Sequence, residues 1–139
     1  MKRIFFVAIS ALALATPSFA DNNKNSLDLK QSNYDIANVD QIGDHNTNGA
    51  SISQFATSNV VNLKQQGTSN INYSEFVQKG DTENKITATQ GGLLNTNTAV
   101  ITQDGHVNEV VIDQGGTGNV NWSQVVQTGT GNQATINQK

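Results

Sequence analysis

The sequence predicts an all-β fold, an amyloid-like β-solenoid of strand-turn-strand repeats, about 24 residues each, with two facing parallel sheets. Three observations predict it: a fixed glutamine period, a repeated turn motif and alternating inward residues. Every second glutamine of the series lies 24 or 25 residues from the next. A fixed period of this size indicates stacked supersecondary units, each too small to bury a face alone. The series is Gln41, Gln54, Gln65, Gln78, Gln90, Gln103, Gln114, Gln127 and Gln138.

The predicted turns follow the glutamines, because nearly every one of them opens the motif Q-x-G-x-x-N. Its glycine fits a tight turn in which one residue takes a positive φ, with asparagine tolerated nearby. Ala56 stands where one glycine is missing, and an extra residue within 80–84 predicts a local bulge. The turn glycines are Gly43, Gly67, Gly80, Gly92, Gly105, Gly116 and Gly129.

The predicted strands lie between the turns. Positions two and four before each glutamine hold mainly apolar or small residues, and this period of two indicates β-strand. The longer segments read N-x-N-x-[AS]-x-[IFV]-x-Q, which places asparagine and glutamine on the same inward face as the apolar residues.

Stacking repeats about 4.7 to 4.8 Å apart puts equivalent side chains in columns along one axis. Asparagine and glutamine each carry a donor and an acceptor, so a column of them forms a hydrogen-bonded ladder. Buried amides are costly unless paired, and the end rungs lack a partner on one side. We therefore expect the ladders to join separate copies during polymerisation, as well as to stabilise the solenoid of one chain. The ladder residues are the nine glutamines with Asn46, Asn48, Asn59, Asn70, Asn72, Asn95, Asn97, Asn108, Asn119, Asn121 and Asn132.

Three segments are predicted along the chain. Residues 1–20 have a basic start, a short apolar run and small residues near the end, which is typical of a secretory signal peptide. Residues 21–34 are polar and are predicted to be a flexible leader. Residues 35–139 form the solenoid, with about four and a half rungs and no C-terminal cap after the last regular strand.

Composition excludes several function classes. Without residues 1–20 the chain has six lysines against eleven carboxylates, a net charge of minus five, which argues against nucleic acid or anionic lipid as a ligand. It has no cysteine for disulfides. No nucleophile lies beside a base, so no enzyme activity and no cofactor are predicted. His45 and His106 occupy different offsets, which is weak evidence for a metal.

Outward charges are expected to favour correct stacking, with Asp40 over Lys64 and Lys85 over Glu109. Each such exposed pair contributes only about 0.2 to 1 kcal/mol. Acidic residues beside the turn glycines have two interpretations, ordinary turn chemistry or gatekeepers that slow assembly. These residues are Asp44, Asp81 and Asp104.

Two aromatic residues, Tyr73 and Trp122, share an outward offset two repeats apart. Either they are isolated surface residues or they bind a dye, a sugar or a neighbouring fibre.

The repeat resembles the curlin motif S-x5-Q-x-G-x2-N-x-A-x3-Q of bacterial curli amyloid subunits, over roughly residues 35–138. Gln127, Gly129, Asn132, Ala134 and Gln138 match the second half of that motif position by position. The chief departure is that asparagines of the long strands occupy the place of the family's serine, and the repeat is longer by about two residues.

The resemblance implies a secreted subunit of an extracellular fibre, or fimbrium, on the bacterial cell surface, which builds the adhesive biofilm matrix. Implied partners are further copies of the chain, another curlin-type subunit, an outer-membrane secretion pore and its accessory factors, without integral membrane insertion. Both the major subunit and the minor nucleator subunit remain open. The alternative class is a soluble solenoid that binds ice or a polysaccharide.

Overall fold

The computed structural model describes residues 23–32 and 34–139, which form ten β-strands and no helix. The predicted signal peptide lies outside these residues. The strands alternate between two five-stranded sheets, sheet A with the order β1-β3-β5-β7-β9 and sheet B with the order β10-β8-β6-β4-β2. The predicted all-β solenoid is confirmed. The strands are β1 (Lys24–Gln31), β2 (Ile36–Asp44), β3 (Thr47–Thr57), β4 (Val60–Thr68), β5 (Ile71–Thr82), β6 (Lys85–Gln90), β7 (Thr96–His106), β8 (Glu109–Gln114), β9 (Val120–Thr130) and β10 (Gln133–Gln138).

Neighbouring strands within each sheet are parallel and in register with the sequence repeat. In sheet A, for example, Gln54 pairs with Gln78 and Gln78 with Gln103. Each rung consists of one strand from each sheet, so the strand in the opposite sheet serves as the long connection that parallel pairing requires. Each sequence offset therefore forms one inward column, and the glutamine columns carry a single residue type from rung to rung.

The core is a thin layer between the two sheets. Its centre in sheet A is the column of Ile52, Phe76 and Ile101, whose exposed fractions are 0%, 1% and 0%. Small residues such as Ala99 occupy the next inward column. The buried apolar residues contributed by sheet B are Val61, Leu63, Ile86, Ala88, Val110 and Ile112. All of these positions follow the predicted alternation.

The first rung is complete, so the solenoid has five rungs rather than four and a half. Strand β1 pairs residue for residue with β3, and the predicted flexible leader does not hold for Lys24–Gln31. The physical reason is that Asn25 and Gln31 bracket two inward leucines and repeat the long-strand pattern. The repeat was not recognised here because the turn after β1 is one residue shorter than the regular turns that follow the other long strands. In addition, Asp35 stands in place of the asparagine that ends those turns.

The predicted irregularity near Gly80 is confirmed. The pairing of β5 with β7 shifts register between Lys79 and Thr82. The pairing of β3 with β5 also shifts, between Phe55 and Thr57. One added residue is thus absorbed locally, and the strands on either side keep their columns.

The turns share a conformation that the sequence did not reveal. In eight turns, the residue before the terminal asparagine is left-handed. Gly118 and Gly131 adopt this conformation at φ 67° and 71° without steric cost, whereas Leu94 and Val107 adopt it at 57° and 56°. A left-handed β-branched residue is strained, because its Cβ crowds the following carbonyl. The strain at Val107 is offset by the regular strands on both sides.

Replacing this strained valine should stabilise the fold. We expect Val107→Gly to raise the free energy of unfolding by about 0.5 to 1 kcal/mol, because relief of left-handed strain exceeds the entropy that glycine loses on folding. Urea unfolding followed by circular dichroism, at a concentration that keeps the chain monomeric, measures the change. The reciprocal control Gly131→Val should lower stability by about 1 kcal/mol. A loss of stability in Val107→Gly would contradict the strain argument.

Candidate functional site

Two glutamine ladders run the length of the solenoid. In sheet A, each Nε2 donates to Oε1 of the next rung at 2.8 to 3.0 Å. In sheet B, the equivalent bonds span 2.7 to 3.0 Å. The nine predicted glutamines all belong to these ladders. Gln31, which the sequence analysis missed, begins the ladder of sheet A.

Each inner glutamine also bridges the two sheets. The Nε2 group of Gln90 donates to Gln114 at 3.0 Å and, across the rung, to the carbonyl of Tyr73 at 3.0 Å. Its Oε1 accepts from Gln65 at 2.9 Å and from the Ser74 hydroxyl at 2.8 Å. Gln90 is fully buried, so these bonds satisfy an amide that would otherwise be costly in the core. The ladders therefore hold the sheets together as well as the rungs.

An asparagine ladder in sheet A runs in the opposite sense. Each Nδ2 donates back to Oδ1 of the preceding rung at 2.8 to 3.0 Å. Its members are the predicted Asn48, Asn72, Asn97 and Asn121, together with Asn25, which the sequence analysis missed. The signal for Asn25 was its position six residues before Gln31, the same offset as in every other long strand.

The asparagines that end the turns form two further columns. In one, the backbone N–H of each asparagine donates to Oδ1 of the preceding one at 2.8 to 2.9 Å. This column contains Asn23, Asn46, Asn70, Asn95 and Asn119. In the other, the bonds span 2.9 to 3.3 Å, and Asp35 precedes Asn59, Asn84, Asn108 and Asn132.

The turn glycines are required by close contact between rungs. The Nδ2 group of Asn46 donates to the carbonyl of Gly67 at 2.7 Å, and Asn70 does the same to Gly92 at 2.8 Å. A Cβ added at Gly43 or Gly67 would overlap the glycine carbonyl of the next rung. All seven predicted turn glycines have positive φ, between 103° and 136°. Glycine is therefore needed for conformation at all seven positions, and for space at all of them except Gly129 in the last rung.

One amide departs from this pattern. Asn59 Nδ2 is buried and has no hydrogen-bond partner among the described residues. The equivalent group of Asn108 donates to Gly129, so the acceptor expected for Asn59 is the carbonyl of Gly80. The loop containing Gly80 carries the extra residue, and the strand pairing shifts register there.

In the first rung, several side-chain amides of the ladders have unused hydrogen-bonding groups. Among the described residues, Oε1 of Gln31 and Oε1 of Gln41 accept no bond, although both side chains donate to the second rung. The amide of Asn25 donates only a long bond of 3.4 Å to the Gln41 carbonyl. This end of the solenoid thus offers two acceptors and one weakly used donor.

The last rung presents the complementary groups. Gln127 and Gln138 each donate one N–H to a backbone carbonyl of the opposite sheet, Glu109 at 3.2 Å and Trp122 at 3.0 Å, and their other N–H has no acceptor among the described residues. Asn121 donates to Asn97, and its Oδ1 accepts nothing within the described chain. Two donors and one acceptor here match two acceptors and one donor at the first rung. Only head-to-tail contact aligns them.

Side chains on the outer faces are placed as follows. Lys85 Nζ lies 3.1 Å from Glu109, as predicted. Asp40 and Lys64 are in register, but among the described residues no ion pair within 4 Å joins them. The remaining candidate residues do not converge: no group of three or more His, Cys, Asp or Glu side chains in the described chain is arranged to hold a metal. His45 lies in a turn and His106 ends strand β7, in different columns, and Asp44 and Asp104 are exposed.

Nothing matched this chain in comparisons with protein-family models, curated proteins and solved structures. In the described part of the chain, no helix is long and apolar enough to cross a membrane. The candidate functional site is therefore defined by geometry alone, as the ladders and the two end rungs.

Breaking the most extensively bonded amide should destabilise the monomer. We expect Gln90→Met, which keeps the length of the side chain, to lower the free energy of unfolding by about 2 to 4 kcal/mol, because Gln114 and Ser74 lose buried partners. Urea unfolding measures the loss. The matched control is Gln66→Met on the outer face, where the change should stay within about 0.5 kcal/mol. Equal effects in both variants would show that the ladder bonds contribute nothing specific.

Proposed function

We propose that this chain is the structural subunit of an extracellular, curli-like amyloid fibre, and that it self-assembles by head-to-tail stacking of the last rung on the first rung of another copy. The observation that carries the proposal is the complementary set of unused donors and acceptors at the two ends. A contact between different surfaces of identical copies does not close on itself, so it yields filaments.

The stacked junction continues every structural column. Strands β9 and β10 present parallel edges to β1 and β2 of the next copy, and Gln127 and Gln138 donate to Gln31 and Gln41 of that copy. Unpaired strand edges are templates for pairing with further chain. The incoming copy orders its first rung on this edge, and the side-chain ladders select the correct register, because a slip of one residue would turn the inward face outward.

The curlin-like motif and the signal-like residues 1–20 support the location and role of this fibre. In the proposal, the chain is secreted through a dedicated outer-membrane pore and anchored at the bacterial surface, where the fibres form biofilm matrix and mediate adhesion. Its partners are other copies and a second curlin-type subunit. The regular fifth rung favours the role of major subunit over that of nucleator, since its edge repeats the inner rungs and so suits continued growth.

Seeded growth tests the assembly step. Residues 21–139, diluted from denaturant, should show sigmoidal thioflavin-T fluorescence, and preformed fibres should abolish the lag. Fibre diffraction should give a meridional reflection near 4.7 Å. A β-rich monomer that stays dye-negative at high concentration would overturn the fibre proposal and leave a monomeric ligand-binding solenoid.

At the proposed junction, Gln138 donates a hydrogen bond, so a variant that loses this donor only when it is ionised should make elongation depend on pH. We expect Gln138→Glu to slow elongation from wild-type seeds about tenfold or more at pH 7, because a carboxylate would face the Oε1 acceptor of Gln41 in the next copy. Below about pH 4, where a glutamic acid is protonated and donates again, growth should recover. Thioflavin-T elongation rates at both pH values measure this.

The control for charge is Thr135→Glu, which places the same carboxylate in the same rung on the exposed outer face of β10, in a column whose other members, such as Val111 and Asn38, are neutral. This variant and the wild type should elongate at similar rates at pH 7. Equal slowing by the two variants would mean that net charge, and not the junction hydrogen bond, limits growth.

A further inference from the structure

The outer face of sheet A changes character along the solenoid. Its first rung presents three charged side chains, Lys24, Asp28 and Lys30. In rungs three to five, Lys79 and Asp104 lie in register at one end of this face, and Glu75 is the single charge in the remaining four columns, which hold twelve outward positions. The others are apolar or neutral polar: Ile71, Tyr73, Val77, Thr96, Thr98, Val100, Thr102, Val120, Trp122, Gln124 and Val126. These four columns favour an uncharged partner, because they offer a single charged side chain to an ionic polymer.

Two aromatic rings on this face lie in one column. Tyr73 pairs in register with Thr98, and Thr98 with Trp122, so the rings are two rungs apart. At the spacing of strands in a sheet, two rungs correspond to roughly 9.5 Å. The intervening threonine is too short to block a ligand that spans both rings. Tyr73 is 44% exposed and Trp122 is 58% exposed, so both are accessible.

A glycine gives the first ring its position. The outward residue preceding Tyr73 in the column is Gly49. Atoms Cδ2 and Cε2 of the Tyr73 ring lie 3.4 and 4.0 Å from where a Cβ of residue 49 would be. Gly49 has no positive φ, so its backbone does not require glycine. The absent side chain instead leaves room for the Tyr73 ring beside Gly49.

We infer that Tyr73 and Trp122 form a binding site for an extended, neutral β-linked glucan, which runs parallel to the solenoid axis. The pyranose rings of such a chain present apolar C–H faces with hydroxyls around the rim, and every second ring shows the same face. Their two-ring repeat is close to the two-rung spacing of the strand positions that carry Tyr73 and Trp122. The ring faces stack on Tyr73 and Trp122, while Thr98 and Gln124 supply hydrogen-bonding groups for the rim hydroxyls.

This site requires only the folded solenoid, so its test is independent of fibre growth. The probe is cellohexaose, titrated against the protein at a concentration where thioflavin-T fluorescence stays at baseline. Trp122 is the chain's sole tryptophan, and its fluorescence should shift on binding. For variants that lack Trp122, isothermal calorimetry measures the affinity instead. Absence of both a fluorescence shift and heat at millimolar cellohexaose would overturn the inference.

Variants test whether the two rings act as a pair. Tyr73→Ala and Trp122→Ala should each weaken binding about tenfold, whereas Trp122→Phe should retain most of the affinity. Phe55→Ala is the matched control, because Phe55 is an aromatic with 52% exposure outside the column, and its loss should leave binding unchanged. Equal weakening by Phe55→Ala would overturn the assignment. Circular dichroism establishes that each variant is folded.

Spacing is tested by moving one ring. The double variant Tyr73→Thr with Thr98→Tyr keeps the composition but places the rings one rung apart, and its affinity should fall about tenfold. Maltohexaose, whose α-linked chain coils instead of extending, should bind at least tenfold more weakly than cellohexaose. Unchanged affinity in the double variant, or equal affinity for the two sugars, would overturn the match between ring spacing and an extended chain.

Discussion

The primary amide is the group on which the structure depends. It carries two N–H donors at a fixed angle and an acceptor oxygen, so one side chain bonds along the solenoid axis and to the opposite sheet at the same time. Gln103 illustrates this with bonds to Gln127 at 3.0 Å and to the Lys85 carbonyl at 3.2 Å. A purely apolar core would fill the space but would tolerate small shifts between rungs. A buried amide does not, because a shifted partner leaves it unsatisfied.

This demand for register reaches the turns. The turn asparagines bond to the backbone of the neighbouring rung, which brings successive glycine carbonyls close together and excludes a Cβ at residues such as Gly43. The residue before each turn asparagine must also adopt a left-handed conformation, which strains the backbone where that residue is not glycine, as at Val107. The one buried Nδ2 without a partner among the described residues, that of Asn59, belongs to the turn column in which the next rung carries the added residue, while the strands on either side keep their register. The turns therefore follow the ladders.

Much of the fold could be predicted from the sequence, because a periodic structure repeats its signals. The period located the strands, and the offsets of glutamine and asparagine located the buried columns. Strand β1 was not predicted because two features of the repeat differ there. Leu27 stands where other rungs have alanine or serine, and Asp35 stands where they have asparagine. The ladder directions could not be predicted, since they depend on how each amide rotates to reach a carbonyl in the opposite sheet. For that reason the complementarity of the two ends became visible only in the structure.

Residue volumes at the proposed junction are complementary in the same way as the hydrogen bonds. Leu27 is the one large member of its inward column, which continues with Ala50, Ser74, Ala99 and Ser123. In a head-to-tail stack it lies between Ala50 of its own chain and Ser123 of the preceding copy, so a large side chain is flanked by two small ones. Partly buried apolar residues at both ends, among them Val39 and Ile136, become covered at the same contact. Since burial of apolar surface is favourable, each junction stabilises the end rungs that are least protected in the single chain. The number of unprotected ends stays at two whatever the fibre length, so stability per copy increases as the fibre grows.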